Sequence, residues 1–221
     1  EAYARIAAAG YTDVAVFGNA GQVPVRADST AAQVAAVRTA AAAAGVKPSM
    51  LIGGTQLDGG LETATSQYRR LIDNAASLGV RWLLDCGTDR HEHFDAYYEL
   101  MRRAAPHAAA AGVSITLKPH GGITLTVEDM LAADQRVGHP AFGLCFDPGN
   151  IVYYTKGQRR PEADVVAVAP RVTTAIIKDC VVVDGKPDVA VTPGDGLVDF
   201  AAVLRSLADA GFDGPYYVEC V

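Results

Sequence analysis

The feature that most constrains this chain is an alternation. Short apolar runs rich in β-forming residues take turns with Ala-rich stretches of helical period. Runs at Asp13–Phe17, Ser49–Ile52, Trp82–Cys86, Ser114–Leu117, Phe142–Phe146, Thr173–Ile177 and Tyr216–Glu219 read as strands. Between them, residues 30–44, 61–78, 92–111, 126–137, 161–169 and 198–210 read as helices. Strands that are apolar throughout are buried on both faces, the pattern of a parallel sheet covered by helices. The repeat is roughly 30 residues, the length of one βα unit.

Glycines punctuate this beat. Gly45, Gly79, Gly112 and Gly211 each stand between a helix and the next strand, where a left-handed cap residue ends a helix. Asp28-Ser29-Thr30 and Thr126-Val127-Glu128 read as helix N-caps. Seven strands are visible where a closed barrel has eight. An amphipathic helix at Glu1–Gly10 opens the chain and a strand at Tyr216–Val221 closes it. We therefore expect a single (β/α)8 TIM-barrel domain over residues 1–221, lacking its first strand and last helix in this chain. A doubly wound open sheet competes, but it calls for a Gly-rich phosphate turn, and no G-x-G-x-x-G occurs.

Charge narrows the partners. The net charge is −6 and the basic residues are scattered, with Arg69-Arg70, Arg102-Arg103 and Arg159-Arg160 no more than pairs. Nucleic acid calls for a basic face, so it is not expected as a partner. No apolar run reaches the ~18 residues of a membrane span, and no signal peptide opens the chain. Cys86, Cys145, Cys180 and Cys220 fall within or at the end of strand-like runs without C-x-x-C spacing, which reads as buried or site-lining thiols in a reducing, cytoplasmic setting. A small-molecule carbohydrate is the expected partner, and a homo-oligomer is allowed.

In a barrel the chemistry gathers at the C-terminal ends of the strands. The polar residues there are Asp85, Lys118 and His120, Asp147 and Asn150, Lys178 and Asp179, and Glu219. Strand alternation puts Lys118 and His120 on one face, and Ile176, Lys178 and Cys180 on one face. Charges on apolar strands are costly unless paired, hydrated or metal-bound, so this concentration points to a site. Asp85 reads equally as a loop cap. Asp147, in Asp147-Pro148-Gly149-Asn150, reads either as turn chemistry or as a site residue following a buried strand. Lys178-Asp179 reads equally as an ion pair at the strand end. His91, His93, His107 and His139 read as solvated.

Several segments, in this order, give the chain a family likeness: Leu117-Lys118-Pro119-His120-Gly121-Gly122, Phe146-Asp147-Pro148-Gly149-Asn150, Ile177-Lys178-Asp179, Pro193-Gly194-Asp195-Gly196 with Val198-Asp199-Phe200, and Val218-Glu219. Over essentially its whole length the chain resembles the sugar phosphate isomerase/epimerase proteins with xylose-isomerase-like barrels. That resemblance implies a divalent cation held by Glu, Asp, His and Glu at four strand ends, and proton transfer beside a sugar carbonyl. Asp147 and Glu219 match two of those positions. Lys118 stands where the first Glu is expected, Ile176 where the His is expected, and Asn150 in the His place of an Asp-x-x-His pattern.

An ammonium or an Ile cannot ligate a hard cation, so the four-ligand site cannot exist as such. Two outcomes follow. A Mg²⁺ or Mn²⁺ ion is held in a rearranged site by His120, Asp147 and Glu219, or Lys118 supplies the positive charge itself. In either, Glu219, Lys118 and Asp147 are the expected catalytic residues, and His120, Asn150, Lys178 and Asp85 the expected substrate-binding ones. The expected activity is sugar isomerisation or epimerisation. A lyase or hydratase on an oxidised sugar, a barrel that only binds sugar, and a zinc-cluster nuclease are the rivals. Three loops also stand out: Gly53–Gly60 as a lid or equally a plain solvent loop, Tyr153–Gly157 as an aromatic wall of the pocket or a subunit contact, and Val181–Val191 as a hairpin around Asp184-Gly185.

Overall fold

A computed structural model of the chain describes residues 1–17 and 23–219. Cys220 and Val221, assigned above to the last strand, lie outside the described residues. The strands are β1 (Asp13–Val16), β2 (Lys47–Ile52), β3 (Trp82–Asp85), β4 (Ser114–Leu117), β5 (Phe142–Phe146), β6 (Val172–Ile177), a short pair β7 (Val181–Val183) and β8 (Lys186–Asp188), and β9 (Tyr216–Val218). Among the described residues, seven of them form one sheet in the order β1-β2-β3-β4-β5-β6-β9. The pairs β1–β2, β2–β3, β5–β6 and β6–β9 are parallel. Every strand expected from the apolar runs is present, with ends shifted by no more than two residues.

The helices are α1 (Ala2–Ala8), α2 (Ala31–Ala43), α3 (Leu61–Leu78), α4 (Phe94–Ala110), α5 (Val127–Val137), α6 (Pro148–Tyr154), α7 (Pro161–Val168) and α8 (Phe200–Asp209). Capping explains several of their ends. Thr30 and Thr126 each accept the N3 backbone N–H, while Gln33 and Asp129 reach back to the cap, satisfying two orphan donors at once. Gly79 and Gly138 end α3 and α5 in the left-handed region, where a Cβ would be strained. Strand followed by helix along a chain-ordered parallel sheet is the βα progression of a TIM barrel.

The chain divides into two compact units, one of Glu1–Asp85, Ala96–Ile115 and His139–Phe142, the other of Cys86–Asp95, Thr116–Gly138 and Gly143–Val221. In the first, Met50, Leu51, Ile72, Leu83, Leu100 and Met101 form a fully buried core. Helix α1 lays Tyr3, Ile6 and Ala7 on Val14, Ala41 and Val46. Within the Gly53–Gly60 segment, Gly53 N–H donates to the Leu84 carbonyl at 2.8 Å, and Leu57 is buried in a single 3-10 turn.

In the second unit, Leu144, Phe146, Met130, Val152, Val165 and Leu207 are buried. The β7–β8 hairpin turns at Asp184 and Gly185, both at positive φ, as a type I′ turn requires. Helix α6 is the departure from expectation. The Asp147-Pro148-Gly149-Asn150 segment is not an isolated turn but a helix start, with Asp147 as N-cap and Pro148 in the first turn. Its fixed φ and missing N–H suit proline to that place. No helix among the described residues is long and apolar enough to cross a membrane.

Candidate active site

Four charged side chains converge in the second unit, each carried one residue beyond a strand: Lys118 after β4, Asp147 after β5, Lys178 after β6 and Glu219 after β9. Lys118 Nζ donates to Glu219 Oε2 at 2.7 Å and lies 2.9 Å from Asp147 Oδ2. Lys178 Nζ donates to the other carboxylate oxygen, Glu219 Oε1, at 2.5 Å. Glu219 N–H donates to the Ile177 carbonyl at 3.1 Å, so the β6–β9 ladder itself sets where the carboxylate stands. The side chains of Lys118, Lys178 and Asp147 are 5%, 8% and 0% exposed, while Glu219 keeps 32%. Glu219 is the member of the cluster that solvent reaches.

Burial opposes charge on Lys118, but the negative charges of Asp147 and Glu219 outweigh it and hold the ammonium above the ordinary lysine range. Burial likewise works against the Glu219 carboxylate, and Lys118 and Lys178 overcome it, leaving its pKa below the usual value. Both groups are ionised at neutral pH. A Schiff base needs a neutral amine, so Lys118 is poorly placed for one. His120 behaves differently: burial and the positive charge of Lys118 lower its pKa, which keeps it neutral.

The His120 ring packs on Tyr154 at a centroid distance of 4.9 Å, and Tyr154 meets Tyr153 edge-on at 5.1 Å. Gly121 makes room, since a Cβ there would come within 2.9 Å of the Tyr154 ring. Asn150 is 3% exposed. Its backbone N–H donates to Asp147 Oδ1 and its side-chain amide to the Pro119 carbonyl, both at 2.9 Å. Asn150 thus ties the end of β4 to the start of α6 and holds Lys118 opposite Asp147.

Lys178 and Asp179 do not pair with each other. Asp179, 1% exposed, accepts the backbone N–H groups of Cys180, Gly194, Gly196 and Val198 at 2.8 to 3.1 Å, clamping the Thr192–Val198 loop beside the Lys178 strand end. Asp85 belongs to the first unit, where it is fully buried and accepts the hydroxyls of Tyr68 at 3.0 Å and Tyr97 at 2.8 Å. Of the expected residues, the structure therefore gathers Lys118, Asp147, Lys178 and Glu219. His120 and Asn150 flank them, and Asp85, in the first unit, is held by the Tyr68 and Tyr97 hydroxyls.

The donor set does not fit a divalent cation. Among the described residues no three His, Cys, Asp or Glu side chains are grouped to hold a metal, and Ile176 is buried. The gap between Asp147 and Glu219, where His120, Asp147 and Glu219 were expected to hold Mg²⁺ or Mn²⁺, contains the Lys118 ammonium. At an effective dielectric of about 20, a dication 4 Å from an ammonium meets a repulsion of about 8 kcal/mol.

Two contributors escaped the sequence reading. Gly149 lets α6 start against Lys178: a Cβ there would lie 2.7 Å from the Lys178 carbonyl oxygen and 2.9 Å from its Cγ. Asp179 was read as a strand-end site charge or as an ion-pair partner of Lys178, and not as a loop clamp. The Asp-Pro pair at a strand end was the available signal for the first, because it starts helices as readily as turns. Nothing local signals the second, three of whose four partners lie 15 to 19 residues downstream.

Comparison with known proteins agrees with this architecture. No curated protein matches the chain. Among solved structures, the chain is similar to a xylose isomerase-like TIM barrel protein from Mycobacterium smegmatis in complex with magnesium, at 21% identity and a TM-score of 0.83, over 98% of this chain and 79% of that one. It is similar to the D-psicose 3-epimerase of Clostridium cellulolyticum H10, solved with D-tagatose, at 15% identity and a TM-score of 0.77, over 99% and 78%. A third similar structure is the probable 3-DHS dehydratase AsbF from Bacillus anthracis, at 14% identity and a TM-score of 0.66, over 83% and 74%. At these identities the likeness is one of fold. A family model described as xylose isomerase-like TIM barrel matches residues 3–221, and the chain belongs to that family.

Proposed function

We propose that this chain is an isomerase or epimerase acting on a keto-sugar by proton transfer beside a carbonyl. One observation carries the reading: Glu219, the solvent-reached carboxylate, is gripped on both oxygens by buried ammonium groups. A base that removes a C–H proton needs a cation nearby to support the oxygen that becomes negative. Here both lie at one strand-end rim. The similarity to an epimerase and to a dehydratase agrees with enolate chemistry without choosing its outcome.

In this reading Glu219 takes the proton from the carbon next to the carbonyl. The C–H electron pair forms the C=C bond, and the carbonyl π pair moves onto oxygen. Each ammonium has three N–H donors, so Lys118 and Lys178 keep donors for that oxygen. This favours the transition state over the ground state. Neutral His120, beside Tyr154, binds a hydroxyl, and the protonated Glu219 returns its proton to carbon, which restores a C–H bond as the C=C pair is used and leaves the carboxylate as it began. Asp147 fixes Lys118.

The test is a panel of keto-sugars incubated in deuterated water and followed by NMR. Deuterium entering at the carbon beside the carbonyl, with formation of an isomer or epimer, is the expected result, and Glu219→Gln should remove it while leaving the fold intact. Loss of water from the substrate would instead identify a dehydratase on the same enolate. No exchange with any keto-sugar or keto-acid, or full activity in Glu219→Gln, would reject the mechanism.

A further inference from the structure

The disagreement between donor set and dication carries an inference that needs no substrate and stands apart from the isomerase reading. We infer that Lys118 is a tethered substitute for a divalent cation, filling the place between Asp147 and Glu219 so that the native site takes no metal, and that removing its charge opens a metal site.

Three observations support it. First, the Lys118 ammonium lies 2.9 Å from Asp147 and 2.7 Å from Glu219, carboxylates delivered by two different strands. Carboxylates brought this close to one point need a positive charge between them. Second, Asp147 is wholly buried and the Lys118 ammonium is the cation at its Oδ2, 2.9 Å away, so removing that charge strands a buried carboxylate oxygen that a bound cation would satisfy. Third, the formal charges close: Lys118 and Lys178 against Asp147 and Glu219 sum to zero. Adding a dication would leave two uncompensated positive charges in a buried place. Without the Lys118 charge the remaining three sum to −1, which attracts a cation.

Mn²⁺ is the probe, because free and bound ion are distinguished directly by electron paramagnetic resonance and no turnover is required. Native protein should show no saturable Mn²⁺ binding. Lys118→Met, which keeps the aliphatic stem and removes the charge, should bind one Mn²⁺ per chain at least tenfold more tightly than native protein, and the added Asp147→Asn substitution should abolish that site. Lys118→Gln serves as a second neutral variant, and circular dichroism checks that each is folded. Saturable Mn²⁺ binding by native protein that disappears in Glu219→Gln overturns the inference. So do folded Lys118→Met and Lys118→Gln proteins that bind Mn²⁺ no better than the native chain. If neither variant folds, the native titration decides alone. A protein that passes this test yet moves no proton in any keto-sugar would keep the inference and lose only the isomerase reading.

Discussion

Lys118 Nζ lies 2.9 Å from an oxygen of Asp147, and the Asp147 side chain has no exposure to solvent. An ion pair so placed is worth less than its Coulomb attraction suggests, because both partners have left water, but breaking it strands a charge. Lys118→Met should therefore destabilise the protein by about 3–5 kcal/mol. Lys178→Met should cost less than half of that, because its partner Glu219 is partly hydrated and keeps Lys118. Urea denaturation of the two variants measures the difference, and equal losses would show that Asp147 does not depend on Lys118.

His120 is expected to titrate below the ordinary histidine range, since burial and Lys118 both disfavour its protonated form. The direction of the stability effect follows. Below pH ~6.5 the unfolded chain binds a proton that the folded one resists, so His120 withdraws stability as pH falls through that value toward its folded pKa. Heteronuclear NMR of the imidazole should give a midpoint below 6.5. His120→Gln should remove that part of the pH dependence of unfolding.

Asp179 gathers four backbone N–H groups around one buried carboxylate. Asp179→Asn should cost about 1–3 kcal/mol, the range for leaving buried donors unpaired. Amide exchange at Gly194 and Gly196 should accelerate more than at core strands. Gly196→Ala should act in the same direction, because its Cβ would clash with Asp179 Oδ1 and approach the Cys180 carbonyl at 2.8 Å.

Asp85 tests the boundary of the site. Held by the Tyr68 and Tyr97 hydroxyls, it should act through packing of its own unit. Tyr97→Phe should destabilise by about 1–3 kcal/mol and leave the KM for any keto-sugar substrate unchanged. A raised KM with unchanged stability would return Asp85 to the substrate.

The fold was legible because its signals are local. Apolar runs, the caps at Thr30 and Thr126 and the glycines after helices each report on a few neighbouring residues, and all agree on one βα progression. The charged cluster was half legible. That Lys118, Asp147, Lys178 and Glu219 share a rim follows from their places after strands. Which of them touch does not, because it depends on how strands up to 101 residues apart in sequence are registered. Helix α6 was missed because Asp-Pro-Gly-Asn satisfies turn and helix-start rules alike. The helical backbone bond from Ile151 N–H to the Asp147 carbonyl, at 3.2 Å, separates the two. The Asp179 clamp was invisible for the same reason as the Lys118 pairing.

The placement of these four charges also bears on how the chain finds its fold. Each stands one residue past its strand, so slipping a single strand by one position would turn its charge toward the opposite face and leave its partners bare in an apolar interior. Continuous apolar strands by themselves discriminate poorly between neighbouring registers, since every residue in them is content to be buried. The ionic cluster supplies the missing penalty. Of the possible alignments, the native one is that in which these four charges meet.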